Sequence, residues 1–216
     1  MLVQSHLAEA YQPEDGTLLE LLAAHIATAL KTSAIFSEVE RLATTDGLTG
    51  LCNRRQFFVL AQRATKQGQS EGRPVSAILL DLDYFKQIND QHGHQTGDEV
   101  LRTVAHTCRS CLRDHDLIGR YGGEEFAILL PGATHHGALK VGERIKCSIA
   151  ELVIHSQDQV IPITASLGVA TNEADAQSNL DHLLARADRA LYHAKDQGRN
   201  RVISEFVVSL PTTIRD

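Results

Sequence analysis

The chain has 216 residues, of which 43% are hydrophobic and 22% are charged, and its formal net charge is −6. This composition is typical of a globular domain with a short additional segment and excludes an intrinsically disordered chain. The negative charge disfavours general nucleic-acid binding, which needs a basic face, although a few well-placed cations would suffice for a small phosphorylated ligand. We predict no membrane segment, because no run approaches 18 apolar residues, and we expect a cytoplasmic protein.

The N-terminal part predicts a long helix from residue 17 to about residue 43, a stretch without Gly or Pro. The sequence PEDG precedes this helix and is expected to cap it. Apolar or small residues recur at alternating steps of four and three, interrupted by Glu40. They are Leu22, Ile26, Ala29, Ser33, Phe36 and Ala43. This seam favours a stalk that pairs with a second copy, and a helix packed on its own domain is the alternative.

A new pattern begins at TTDGLTG, residues 44–50, after which helices and strands alternate. Helices are predicted over residues 54–67, 97–113, 134–151 and 180–195. Strands are predicted over residues 75–80, 117–121, 126–130, 161–170 and 201–204. This order is typical of an α/β sandwich with a mixed central β-sheet, flanking helices and at least one antiparallel hairpin. Gly122 and Gly123 mark the hairpin, for which we predict a type I′ turn with positive φ.

Acidic residues follow the strand predicted over residues 75–80. Asp81 comes at its end, where α/β proteins commonly place ligand-binding groups, and Asp83 would point to the same side if the strand continued. Glu124 can approach Asp81 if the hairpin lies beside this strand. Carboxylates without Cys or His favour Mg²⁺ or Mn²⁺. The alternative is that Asp81 or Asp83 caps the following helix.

Several other side chains suit a phosphorylated ligand. Lys195 and Arg199 flank Gly198 at the end of the last long helix, and either could contact a polyphosphate. Equally, Lys195 would stabilise the helix C-terminus and Gly198 would end the helix. Asn89 and Asp98 are suited to a purine edge, and each could instead be a turn or cap residue.

The four cysteines do not form a recognised metal-ligand set. Cys108 and Cys111 have CxxC spacing, but no second pair or nearby His completes a zinc site. We therefore expect both to pack as small apolar side chains on a helix, and we assign none of the eleven histidines to a metal.

Four separated motifs share the order and spacing of one known family. They are DGLTGLCNRR at residues 46–55, DLDYFKQIND with GHQTGD at 81–98, RYGGEEF at 120–126 and KDQGRNR at 195–201. Over about residues 44–205 the chain resembles a GGDEF-type diguanylate cyclase domain, in the form that reads Gly-Gly-Glu-Glu-Phe. The resemblance implies a nucleotidyl-cyclase-like fold with a ferredoxin-like core.

This resemblance implies an enzyme that condenses two GTP molecules into cyclic di-GMP and two pyrophosphates, as a homodimer with one GTP in each half-site. It implies that Asp81, Glu124 and the backbone carbonyl of Leu82 hold Mg²⁺, and that Asn89 and Asp98 read guanine. The other implied GTP contacts are made by Tyr84, Phe85, Lys86, Gly122, Gly123, Lys195 and Arg199.

The resemblance also implies inhibition by the product. The sequence RDHD, residues 113–116, precedes the glycine pair where the family carries its RxxD site. Arg113 and Asp116 would bind cyclic di-GMP, and Arg144 would join them from a neighbouring domain. An ordinary surface salt bridge is the alternative for this loop.

Residues 1–43 resemble the closing strand and final helix of a GAF sensory domain, which implies a signalling helix without a complete sensor. Residues 206–216 are expected to form a C-terminal tail. Three functions are compatible with the residues: a cyclase, a non-catalytic module that binds GTP or cyclic di-GMP, and a phosphorylation switch built on Asp81 and Mg²⁺. The intact signature favours the cyclase over a non-catalytic module. The phosphorylation switch ranks last, because the glycine hairpin has no function in it.

Overall fold

The computed structural model describes residues 13–156, 159–172 and 179–205. Its helices are α1 (Pro13–Thr44), α2 (Arg54–Ser70), α3 (Phe85–His92), α4 (His94–Ser110), α5 (His135–Ala150) and α6 (Leu180–Asp196). Its strands are β1 (Val75–Leu82), β2 (Leu117–Arg120), β3 (Glu125–Pro131), β4 (Ile154–Ser156), β5 (Gln159–Ile161), β6 (Ala165–Asn172) and β7 (Val202–Ser204). The chain divides into two compact units, residues 1–43 and residues 44–216.

The larger unit is built on a mixed five-stranded sheet, as the sequence predicted. The strand order is β2-β3-β1-β6-β7, with β6 and β7 parallel and every other neighbouring pair antiparallel. All eight residues of β1 and of β6 are buried, because helices cover both faces of the sheet. Ile78 and Leu80 pack with α4 and α5, while Ala77 and Leu79 pack with α2 and α6. This alternation follows the two-residue period of a strand.

Helix α6 lies unusually close to the centre of the sheet. A Cβ atom at Gly168 of β6 would overlap the backbone of Ala187 and Leu191 on α6, so only glycine permits this packing. The close contact helps to bring the C-terminal end of α6 to the edge where β1 ends, and Lys195 forms an ion pair there with Asp81.

Some predicted elements differ from the structure. Residues 161–170 do not form one strand, because residues 162–164 separate β5 from β6, and β5 pairs with β4 in a separate hairpin. Helix α3 and strand β4 were not predicted. Helix α1 begins at Pro13, so PEDG forms its first turn instead of preceding it. Cys108 and Cys111 are buried in the core, as expected.

Helix α1, considered by itself, carries many exposed apolar side chains. Leu22, Ile26 and Phe36 of the predicted seam are 47%, 52% and 69% exposed. By length and composition alone, Leu19–Thr44 is apolar enough to cross a membrane, with a hydropathy of 1.3 over an 18-residue window. The expectation of no membrane segment rested on the absence of an unbroken apolar run, and this helix meets a test of mean hydropathy instead; one such helix near the N-terminus is weak evidence for a span. The strand of the GAF-like resemblance falls in residues 1–12, outside the described residues.

Candidate active site at the end of strand β1

The pairing of β1 with β3 brings acidic residues from distant parts of the chain together. Asp81 lies opposite Glu125 in the antiparallel register, and the backbone N–H of Leu82 donates to the carbonyl oxygen of Glu124 at 3.3 Å. Glu124 therefore stands at the end of β1, next to Asp81. The sequence predicted that Glu124 would approach Asp81 if the hairpin lay beside this strand, and the structure has this arrangement.

A cation from α6 completes this cluster. The Nζ atom of Lys195 lies 2.8 Å from Oδ2 of Asp81. Burial raises the pKa of the Asp81 carboxyl above its usual value, while Lys195 acts in the opposite direction. Burial also raises the pKa of Glu124, and the negative charges of Asp81 and Glu125 add to that effect. Two carboxylates thus share a partly desolvated site with one ammonium group.

The hairpin between β2 and β3 differs from the predicted turn. Four residues, 121–124, connect the strands, and the N–H groups of Tyr121 and Gly122 both donate to the carbonyl oxygen of Glu125. Neither Gly122 nor Gly123 has a positive φ, so the prediction of a type I′ turn was wrong. A side chain at Gly122 would overlap the carboxylate of Glu125, whereas Gly123 has no atom within 4 Å of its Cβ position. The space on the Cβ side of Gly123 is therefore open to a ligand.

Arg120 connects this hairpin to the segment that follows α1. Its Nη2 donates to the carbonyl oxygen of Gly123 at 2.7 Å, and its Nη1 lies 3.2 Å from Oδ1 of Asp46. Asp46 also accepts hydrogen bonds from the N–H and hydroxyl groups of Thr49. Burial opposes ionisation of Asp46, but the contacts with Thr49 and Arg120 outweigh it and lower the pKa. The sequence motifs contain both residues, but no spacing rule indicated that they pair.

Asp83 lies beyond the end of β1 and is held by a separate set of donors. Its carboxylate accepts hydrogen bonds from Thr164, Ser166 and the backbone N–H of Asn200. It does not cap α3, because Tyr84 holds the N-cap position and no side chain bonds to the helix there. The alternative of a capping aspartate is therefore wrong for both Asp81 and Asp83.

Tyr84 and Arg199 meet beside the first turn of α3. Tyr84 has a φ of 56° and is 54% exposed, and the guanidinium carbon of Arg199 lies 4.6 Å from the centre of its ring. Phe85 packs its side chain in the core, while Lys86 is exposed. The first N–H groups of a helix have no partner within it, so the start of α3 offers donors to an anion.

Asn89 on α3 and Asp98 on α4 belong to two helices that pack against each other. A side chain at Gly97 would overlap the amide oxygen of Asn89, so the glycine allows the two helices to approach. Asn89 and Asp98 are both partly exposed. Asn89 thus lies against Gly97, the residue that precedes Asp98, on helices that follow the end of β1.

The predicted inhibitory residues lie in the loop before β2. The carboxylate of Asp116 accepts a hydrogen bond from the backbone N–H of Arg113 at 2.9 Å, and the Arg113 side chain is exposed. Both residues line a cavity of about 210 Å³ together with Gly132 and Thr134. Arg144 donates to the carbonyl oxygen of Cys111 at 2.6 Å. The Asp116 carboxylate is thus bound to the Arg113 N–H, and its Oδ1 also lies 3.8 Å from Nε2 of His115, so a side-chain contact of the kind considered as the alternative is present in this loop as well.

Comparison with known proteins assigns the family. The family model described as "Diguanylate cyclase, GGDEF domain" matches residues 43–201. The chain belongs to this family.

Individual relatives agree with that assignment. The chain is 41% identical over 189 residues to diguanylate cyclase DgcM of Escherichia coli strain K12, covering 88% of this chain and 44% of that protein. It is also 41% identical over 167 residues to the response regulator PleD of Caulobacter vibrioides, covering 76% of this chain and 36% of that protein. The chain therefore spans less than half the length of these two relatives.

Solved structures share the fold. The coiled coil and GGDEF domain of DgcB from Caulobacter crescentus, in complex with c-di-GMP, has a TM-score of 0.79 and 33% identity, covering 87% of this chain and 99% of that one. The active GGEEF domain of a diguanylate cyclase from Vibrio cholerae has a TM-score of 0.67 and 37% identity, and the match covers 72% of this chain and 97% of that one. The mixed sheet with flanking helices is thus the fold of this family.

The crowding of charge predicts a measurable effect on stability. Because the pKa of Glu124 is raised in the folded chain, its ionisation costs stability as the pH rises through that raised value. In the absence of metal, we expect Glu124→Gln to unfold at a higher temperature than wild type at about pH 7 and at the same temperature near pH 4, where the glutamate is protonated. Thermal unfolding in EDTA across this range measures the difference.

Glu99→Gln is the control for this comparison, because it makes the same change on an exposed position of α4 and should alter the unfolding temperature little. A Glu124→Gln variant that is no more stable than wild type near neutral pH would contradict the electrostatic account of the site.

Proposed function

We propose that this chain is one half of a dimeric diguanylate cyclase, which condenses two GTP molecules into cyclic di-GMP and releases two pyrophosphates. The observation that carries this proposal is the meeting of Asp81, Glu124 and Lys195 beside the open space at Gly123. Membership of the family, and relatives that are named diguanylate cyclases, support the same activity. We also propose a bacterial cytoplasmic location for the catalytic unit.

The acidic cluster fits a hard divalent cation. Burial and, after it, the negative charge of Asp81 raise the pKa of Glu124, and a bound cation would relieve the repulsion between the two carboxylates. No group of three or more His, Cys, Asp or Glu side chains is placed to hold a metal within the described part of the chain. Such a group is not required, because Mg²⁺ is commonly bound by one or two carboxylates together with substrate phosphates.

We assign Asp81, Glu124 and the Leu82 carbonyl to Mg²⁺, with Mn²⁺ as the alternative. When bound, the cation would supply positive charge against the charge that develops on the reacting phosphates. The residues of the chain would orient the nucleotide around it. Lys195 and Arg199 would bind phosphate oxygens, and the first N–H groups of α3, near Tyr84, Phe85 and Lys86, would donate to others.

Asn89 and Asp98 would hold the guanine. Asn89 offers both a donor and an acceptor, and Asp98 can accept from the N–H groups of the guanine edge. These two side chains lie on α3 and α4, whereas Lys195 lies on α6 and Arg199 lies in the loop that follows α6. In the proposed site α3 would contact both the phosphates, through its first N–H groups, and the guanine, through Asn89, and the nucleotide would extend from α3 and α4 towards Lys195, over Gly122 and Gly123.

One half-site would hold one GTP, so the reaction requires a second copy. The exposed seam of α1, with Leu22, Ile26 and Phe36, supports pairing with the same helix of another chain. The solved DgcB structure comprises a coiled coil and a GGDEF domain, and we propose the same combination for this chain. Paired helices would raise the local concentration of the two half-sites.

Turnover tests the proposed function directly. Wild-type protein, stripped of nucleotide, should convert GTP to cyclic di-GMP and pyrophosphate in the presence of Mg²⁺. Glu124→Gln and Asp81→Asn should each lower the rate by about 10²- to 10³-fold or more, because each removes one electrostatic contributor. Chromatographic separation of the products measures both.

Glu124→Asp is the matched control, because it keeps a carboxylate and produces the other common form of the family signature, so it should retain most of the activity. A wild-type dimer that is free of cyclic di-GMP, binds GTP and yields no product would contradict the proposal. It would instead support the non-catalytic binding module.

We also propose that cyclic di-GMP inhibits the enzyme at Arg113, Asp116 and Arg144. The exposed guanidinium of Arg113 beside a small cavity supports this assignment. The Asp116 carboxylate accepts a hydrogen bond from the backbone N–H of Arg113. An ionised carboxylate accepts several hydrogen bonds, so Asp116 can also accept from a ligand.

Arg113→Ala should raise the concentration of cyclic di-GMP that halves the rate by about tenfold or more, through loss of a charge-assisted hydrogen bond. The initial rate without product should stay as in wild type. Arg102→Ala removes the same charge from an exposed position on α4 and serves as control. Equal inhibition of Arg113→Ala and wild type would exclude Arg113 from the inhibitory site.

A further inference from the structure

The carboxylate of Asp83 has no part in the metal, guanine or inhibitor sites proposed above, yet it is closely surrounded by donors. Its Oδ2 accepts from the hydroxyl of Thr164 at 2.7 Å and from the backbone N–H of Asn200 at 3.0 Å. Its Oδ1 accepts from the hydroxyl of Ser166 at 2.7 Å. Asp83 is only 4% exposed, so these donors replace water around a buried polar group.

The contact with Asn200 lies in a segment with an unusual backbone. Gly198, Arg199 and Asn200 have φ values of 111°, 64° and 47°. For a residue with a side chain, such a conformation is energetically unfavourable and persists where the surrounding structure imposes it. Asp83 supplies one such constraint, and the hydrogen bond from the Arg199 N–H to the Ala194 carbonyl oxygen, at 3.0 Å, supplies another.

The same segment carries Arg199, and Lys195 precedes it on α6; these are the two cations proposed to bind phosphates. Lys195 reaches Asp81 from the last turn of α6, and the guanidinium of Arg199 stacks on the ring of Tyr84. Asp81 and Tyr84 lie on either side of Asp83 in the sequence. The hydrogen bond from Asn200 therefore attaches the cation-bearing loop to the segment that carries the acidic cluster.

We propose that Asp83 is a positioning residue, whose carboxylate holds residues 198–201 so that Arg199 and Lys195 meet the terminal phosphates of GTP. This inference rests on the proposed cyclase function of the site. It predicts a selective defect, because the guanine-reading residues Asn89 and Asp98 lie on α3 and α4, whereas Arg199 and Asn200 lie in the loop that follows α6.

The test compares two ligands on the full chain. One is a GTP analogue that is not turned over, and the other is GMP, which lacks the β- and γ-phosphates. In Asp83→Asn, an NH₂ group replaces one acceptor oxygen. We expect the affinity for the analogue to fall by about tenfold or more and the affinity for GMP to stay within about twofold. Calorimetric titration in Mg²⁺ measures both, and the KM for GTP should rise in parallel.

A second pair of variants keeps Asp83 itself. Thr164→Val removes one donor with little change of shape, and we expect the same selective loss with a smaller amplitude. Thr164→Ser retains the hydroxyl and should bind both ligands as wild type does. This pair carries the test if Asp83→Asn does not fold.

Two results would overturn this inference without affecting the proposed function. The first is an unchanged affinity for the analogue in both Asp83→Asn and Thr164→Val. The second is an equal proportional loss of affinity for the analogue and for GMP, which would indicate a merely structural residue. A wild-type chain that fails to bind the analogue would instead overturn the proposed function, and this inference with it.

Discussion

The antiparallel pairing of β1 with β3 is the constraint on which the site depends. It places Glu124 at the end of β1 next to Asp81, although the two residues come from separate parts of the chain. Burial raises the pKa of both carboxyls, the charge of Asp81 adds to the effect on Glu124, and the ammonium of Lys195 compensates only in part. The ionised form of the two carboxyls is therefore disfavoured in this site, and a cation that binds together with a phosphorylated ligand would stabilise it.

Most of the sheet and the long helices could be predicted from the sequence, because short continuous apolar runs mark strands buried on both faces and an apolar period of 3.6 marks the buried face of a helix. The failures have local causes. Helix α3 has only eight residues and few apolar positions, and β4 and β5 have three residues each, too short to show a period. Two adjacent glycines suggest a two-residue turn, whereas the conformation of the hairpin depends on four residues and on contacts with Glu125.

The residues of the site were predicted from motifs, but the contacts that hold them were not. Arg120 and Asp46 are 74 positions apart, and the partners of Asp83 are 81 or more positions away from it. Local patterns carry no information about such pairs. The sequence therefore suggests a ligand-facing carboxylate or a helix cap at Asp83, while the structure uses this residue to tie β6 and residue 200 to the end of β1.

The most direct test of the account is the position of a metal in the nucleotide complex. Crystals grown with Mn²⁺ and a GTP analogue that is not turned over would locate the ion by its anomalous scattering. The account predicts an ion in contact with the carboxylate oxygens of both Asp81 and Glu124 and with a phosphate oxygen of the nucleotide. A bound nucleotide whose Mn²⁺ contacts neither carboxylate would contradict it.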